Sequence, residues 1–331
     1  MSEQRQGTIQ QSDEAVGVAS GDVVVALDVG GTGMKCALVR PDGVAVHTER
    51  HPTEAARGPA AVVDTILDVA EGLAGKARAD GFTPVALGVA VPGVVDEARG
   101  VAVWSANVGF RDVPLRDLAV ARLGLPATLG HDVRAGGIAE ARLGAGRGAG
   151  HVLFVAIGTG IAAAHVVDGA ASLGAHGAAG EFGHILVRPG GPRCGCGRPG
   201  CLEAVASASA VARRYAELSG TPGTAAEVGE RAAAGEPAAV RVWRETVEAL
   251  ADGLATAQAL FDVATIVVGG GLAQAGARLL DPLRAALHER MTFHRQPRLV
   301  AAALGDEAGC LGAALLALDA RRGVPTTMEA P

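Results

Sequence analysis

The chain has 331 residues, 49% hydrophobic and 19% charged, so it can bury a large core and is not a globally disordered polymer. Aromatic residues are only 3% and the net charge is −6, which excludes a base-stacking surface and a basic field for a nucleic-acid backbone. The 48 glycines follow no Gly-X-Y period, which excludes collagen.

Residues 1–21 are polar and lack the basic start and apolar core of an export signal, so they read as a disordered leader in a cytoplasmic protein. A strand over 23–27 runs into Asp28-Val-Gly-Gly-Thr-Gly, and strands over 35–40 and 44–48 follow around the turn Pro41-Asp42-Gly43. Helical spacing covers 60–80, with Lys76 and Arg78 suited to its last turn and Gly81 as its stop. An apolar strand over 85–91 stops at Pro92-Gly93, and helices are expected over 114–123 and 132–143. Residues 148–167 carry no Asp, Glu, Lys or Arg, but Gly158-Thr159-Gly160 divides them into strands over 151–157 and 161–167, which argues against a membrane span. Helices follow over 207–218, 224–234 and 238–261, then a strand over 265–268 that runs into Gly269-Gly270-Gly271. A helix over 281–290, a strand over 298–303 and a helix over 307–321 close the chain; Trp104 and Trp243 are read as packing residues. Each half repeats a strand, glycine hairpin, strand and helices, which predicts a halved α/β chain with a ligand cleft.

Glycines at the end of a strand let the backbone approach a ligand, and successive N–H groups in such a turn form an anion nest. Asp28 is placed to face a phosphate-bound Mg²⁺. The first turn is neither a Walker A loop nor a dinucleotide fingerprint, and taken alone it is as well explained by a tight hairpin. Three such turns point to a nucleotide gripped between the halves.

Five cysteines, three of them within eight residues, argue against a disulfide framework. Cys194, Cys196 and Cys201 with His184 make a Cys₃His set, which suits a closed, structural Zn²⁺ and leaves no open position for catalysis. Buried free cysteines are the plainer alternative.

These residues resemble the ROK family of bacterial sugar kinases and repressors, over most of the chain from Val23 to about Leu318. Asp28-x-Gly-Gly-Thr-x-x-Lys35 looks like the family's first phosphate motif, and Gly177-x-x-Gly-Glu181-x-Gly-His184 with Cys194-x-Cys196-Gly-x-x-Gly200-Cys201-x-Glu203 looks like its signature and zinc module. Asn107-Val-Gly-Phe-x-x-Val-Pro-Leu115 resembles its sugar loop. The resemblance implies an actin-like, hexokinase-type (ribonuclease H-like) fold of two duplicated α/β domains with a cleft between them. It implies an N-terminal domain over 22–130 completed by the helix over 307–321, a larger domain over 131–306 containing the zinc module 184–203, and a tail over 322–331. It also implies transfer of phosphate from ATP with Mg²⁺ to the C6 hydroxyl of a hexose, glucose first, with N-acetylmannosamine, N-acetylglucosamine and fructose as alternatives.

The implied base is Asp132, whose plainer role is a helix N-cap. Gly93, Asn107, His131, Asp132, Glu181, His184 and Glu203 match sugar-binding positions, and Asp28, Gly30, Gly31, Thr32, Gly158, Thr159, Gly160, Gly270 and Gly271 match nucleotide-binding ones. His131 and Arg134 replace the asparagines that usually flank the base, so His131 is expected to titrate near about pH 6.5 and Arg134 to act on Asp132 or pair with Glu140. Lys35 is read as solvated. No helix-turn-helix pattern precedes the first strand, so a sugar-responsive repressor is a lesser reading. No nucleic-acid or membrane partner is expected, and the family tends to homodimers or homotetramers.

Overall fold

The computed structural model describes residues 21–324 and the backbone of 327–328, so the expected leader, apart from Gly21, and much of the expected tail lie outside the described residues. The first half runs β1 (Asp22–Val29), β2 (Gly33–Val39), β3 (Ala45–Pro52), α1 (Pro59–Ala79) and β4 (Thr83–Val91). A small sheet of β5 (Val94–Asp96), β6 (Val101–Trp104) and β7 (Arg111–Val113) follows, then α2 (Leu115–Leu123) and β8 (Ala127–His131). The second half begins with α3 (Asp132–Arg142), β9 (His151–Ile157), β10 (Ile161–Val167) and β11 (Ala170–Ser172). It continues through α4 (Leu202–Ala206), α5 (Ala208–Ser219), α6 (Ala225–Ala233), α7 (Pro237–Phe261), β12 (Thr265–Gly269), α8 (Ala277–Glu289), β13 (Arg298–Ala301), α9 (Ala308–Arg322) and β14 (Thr327–Met328).

Both large sheets share one topology. The first has the order β3-β2-β1-β4-β8 and the second β13-β12-β9-β10-β11-β14. In each, an antiparallel meander (β1–β2–β3 or β9–β10–β11) is extended on the other side of its first strand by two parallel strands (β4 and β8, or β12 and β13). This is the duplicated ribonuclease H-like arrangement expected above. β1 is an unbroken apolar run because both its faces are covered: Val23, Val25 and Leu27 face the α1 side, and Val24 and Ala26 face α9. β3, at the sheet's edge, alternates half-buried and exposed residues instead.

Between the two sheets lie α3 and α9. α9 packs on the first sheet and α3 on the second, and one apolar cluster joins Val24, Ala26 and Ala37 to Ile138, Phe154, Ala164, Ala313 and Ala314. The helices run parallel, since Gly312 opposes Ala135 near their starts while Arg142 Nη1 meets Asp319 Oδ2 at 2.5 Å near their ends. Their approach depends on glycine: a Cβ on Gly312 would lie 1.9 Å from the Ala135 carbonyl oxygen. Gly312→Ala is therefore expected to destabilise the chain by about 1–3 kcal/mol, as overpacking does, read from a urea midpoint that falls without a change of slope. An unchanged midpoint would show that the crossing has slack.

Three expectations are corrected here. The helix expected from 281 begins at Ala277, so Pro282 is an interior residue. Its missing N–H would have bonded the Arg278 carbonyl, and the buried Trp243 indole donates to that oxygen instead, at 3.1 Å. Trp104 is not a packing residue: it lies on the small sheet and is 45% exposed. The cap position considered for Asp132 is held by His131, whose Nδ1 accepts from the Val133 N–H at 3.2 Å; Asp132 is the first helical residue, and its Oδ1 accepts from the same N–H at 2.7 Å.

Candidate active site and metal centre

α3 and α9 both start at one cavity of 380 Å³, lined by Asp132, Val133 and Gly136 of the first and Ala308 and Gly309 of the second. Two helix N-termini aimed at one space favour anions. Asp28, at the end of β1, and Lys35, on β2, form another wall, and Gly269, Gly270 and Gln274 a third. Asp28 and Asp132 thus share the cavity. Burial, reinforced by the Asp132 charge, pushes the Asp28 carboxyl up to about 6. Lys35 works against that shift from 3.8 Å, and also lies 3.8 Å from Asp306. Lys35 is accordingly half-buried in the cavity wall, where a solvated side chain was expected.

Of the expected nucleotide residues, Asp28 and Gly270 line this cavity, while Gly30, Gly31, Thr32, Gly158, Thr159, Gly160 and Gly271 stand outside its lining. The first turn is fixed by Thr53, which donates to the Gly30 carbonyl at 2.6 Å and bonds Thr32 through its own N–H at 3.2 Å. Its Gly31 lies against Asn107, with room for a Cβ only 3.2 Å from that side chain. The second turn lies against Glu203, since a Cβ on Gly160 would meet its Oε2 at 2.5 Å.

Of the expected sugar residues, His131 lies beside Asp132 and Glu181 beside His184, while Asn107 lies against Gly31 of the first turn. His131 Nδ1 is 3.3 Å from Asp132 Oδ1. Burial pushes the His131 imidazole below its ordinary value, helped by Arg134 and opposed by the charges of Asp132, Glu97 and Glu181. Glu181 Oε2 lies 3.6 Å from His184 Nε2, and Glu203 accepts from the Ile161 N–H at 3.0 Å. Gly93 has φ +103, and a Cβ there would strike the Trp104 carbonyl at 2.2 Å, so only glycine turns this corner. Glu140 does not pair with Arg134. It is fully buried and takes three backbone N–H groups, from Ala145, Ala303 and Leu304, which fixes the loop before α9.

His184, Cys194, Cys196 and Cys201 bring one ligand atom each to within 4.8 Å of one another. Cys194 Sγ is 3.6 Å from His184 Nδ1, and Cys196 Sγ is 3.6 Å from Cys201 Sγ, close to the edge of a tetrahedron with bonds of about 2.0–2.3 Å. All five cysteines are free thiols. The backbone N–H of Arg198 holds the Cys196 thiol down to about 6, ready to ionise, while burial pushes Cys201 up to about 11. The donor set fits a closed Zn²⁺ site. His184 presents Nδ1 to the thiols and Nε2 to Glu181, so one imidazole joins the metal centre to that carboxylate.

Asp306, Gln274 and Gly309 also line the cavity, and Glu97 holds the start of α3; none of these was expected from the motifs. The aligned motifs end before them, and a Glu 37 residues from its partner has no local signature.

The sequence profile of the ROK family matches residues 24–320, and the chain belongs to that family. A glucokinase of Streptomyces coelicolor is 32% identical over 315 residues, covering 89% of this chain and 97% of its own. The crystal structure of a ROK hexokinase from Thermus thermophilus is 34% identical with a TM-score of 0.80, covering 89% of this chain and 97% of that one. A ROK glucokinase from Streptomyces griseus, solved with glucose and AMPPNP, is 32% identical with a TM-score of 0.74, covering 89% and 99%. N-acetylmannosamine kinases of Escherichia coli stand at 32% as well. The fold is that of these two-domain, actin-like sugar kinases. No helix among the described residues is long and apolar enough to cross a membrane.

Proposed function

We propose that the chain is an ATP-dependent sugar kinase that phosphorylates a hexose on its C6 hydroxyl, with glucose the preferred substrate and N-acetylmannosamine the first alternative. The observation that carries this reading is the placement of Asp132. It opens α3 at a cavity where two helix N-termini meet, shares that cavity with Asp28, and has His131 as its neighbour at 3.3 Å. Asp132 accepts the proton of the attacking hydroxyl as the phosphoryl group leaves ATP, the helix starts and Lys35 offset the charge on the phosphates, and Asp28 faces the metal. Asp28 would hold Mg²⁺, which would supply neutralisation of the phosphate charge. His131, Glu181, His184, Glu203, Asn107 and the backbone at Gly93 hold the sugar, and Zn²⁺ fixes the His184 ring and tautomer. A boundary near residue 131, with α9 returning to the first sheet, belongs to the same reading, as do a homodimer or homotetramer and a cytoplasmic location.

A coupled ADP assay over glucose, mannose, fructose and the N-acetyl hexosamines tests it, and absence of ADP release with every sugar would overturn it. The same panel weighs His131. In its neutral form it offers one donor and one acceptor but is bulkier than the usual asparagine, and its Nδ1 accepts from the Val133 N–H. His131→Asn is expected to keep turnover while reordering kcat/KM among the sugars; an unchanged ranking means that His131 only caps α3.

A further inference from the structure

Arg134 lies in the first turn of α3 and Glu97 in the segment just after β5, yet their side chains meet with only 4% and 11% of their surface exposed. A single oxygen, Glu97 Oε1, accepts from Arg134 Nε at 2.9 Å and from the backbone N–H of His131 at 3.2 Å. Arg134 Nη2 is 2.8 Å from the same oxygen but makes no aligned hydrogen bond. The other arm, Nη1, donates to the Gly177 carbonyl at 3.0 Å. Gly177, with φ +70, in turn presses on the segment that carries Glu97, for a Cβ there would lie 3.0 Å from the Val95 carbonyl oxygen. One carboxylate and one guanidinium therefore tie together three pieces of chain: the segment after β5, the residue pair that opens α3, and the loop that leads to Glu181. Val95, Glu97 and Gly177 also line a 700 Å³ opening between these segments.

A buried ion pair is costly to desolvate and is poor evidence for stability, whereas fixing a register is its best-attested use. Here the fixed element is the residue before the base. We propose that Glu97 is a positioning residue of the phosphoryl transfer: by holding the His131 N–H and Arg134 on one oxygen, it sets where Asp132 stands against the sugar hydroxyl. The inference rests on the reading of Asp132 as the base and adds to it a group outside the family's motifs. Displacements of about 1 Å at a reacting group cost on the order of 10²-fold in rate, which is the scale available to such a clamp.

The test uses the full chain. Parental turnover with any hexose is measured first; its absence sinks the kinase reading and leaves nothing for Glu97 to position. With an active parent, Glu97→Ala is expected to lower kcat at saturating sugar and ATP by at least about tenfold while the sugar KM stays within about threefold. Glu97→Gln keeps an oxygen acceptor and is expected to recover most of that loss. A folded Glu97→Ala with kcat within twofold of the parent overturns the proposal, as does a loss confined to KM or an equal loss in Glu97→Gln. Should Glu97→Ala not fold, the pair Glu97→Leu with Arg134→Leu removes both charges and both grips together. A tenfold loss of kcat at unchanged KM in that folded pair supports the clamp, and parental turnover in it overturns the clamp.

Discussion

Replacing Asp132 by asparagine is expected to lower kcat by about 10²–10⁴-fold while sugar affinity stays within about tenfold. Asparagine keeps the oxygen that accepts from the Val133 N–H at 2.7 Å, so the start of α3 is preserved and only the proton acceptor is lost. The loss therefore belongs to the transition state and leaves ground-state binding of the sugar in place. Steady-state rates in a coupled ADP assay give the first quantity and calorimetric titration of the sugar the second. Near-normal turnover would pass the role of base to Asp28, the other carboxylate of the cavity.

Removing one thiol should act at a distance. Cys196→Ala is expected to reduce bound zinc from one per chain to a small fraction, and to raise the sugar KM by about 10–100-fold, the range seen when even an outer partner of a metal site is lost. The route is His184. Its Nδ1 lies 3.6 Å from Cys194 Sγ and its Nε2 3.6 Å from Glu181, so a metal held on Nδ1 would fix the face that the ring turns toward Glu181. Metal analysis beside kinetics on the same preparation reads both effects. Zinc-free protein with parental activity would show that the cluster serves neither site.

The periodic parts of the fold were legible before the structure. The strands over 151–157 and 161–167 fall where the break at Gly158–Gly160 puts them, and α1 follows its 3.6-residue spacing. Where local rules conflicted with tertiary contacts, the contacts prevailed. Pro282 reads as a helix start, yet α8 runs through it because a buried Trp243 supplies the lost hydrogen bond. The Cys₃His set was legible because four ligands fall within a short segment. Arg134 stands out in the sequence, but of its two expected roles the pairing with Glu140 does not form: Glu140 is taken by the N–H of Ala145 just beyond its helix and by those of Ala303 and Leu304, distant in sequence. Pairings of that kind follow from the topology alone, and no periodicity announces them.

The crossing of α3 and α9 also has a mechanical consequence. Gly312, Ala313, Ala314, Ala135 and Ala139 meet there, within a cluster that also holds Ile138 of α3 and Leu311 and Leu315 of α9. Without a side chain on Gly312 the two backbones lie so close that neither helix turns without displacing the other. One ion pair, Arg142 with Asp319, pins the helices seven residues further along, away from the cavity. The contact and its pin therefore tie the two helix starts together, so any turn of one helix carries a wall of the cavity that Asp132 and Gly309 both line.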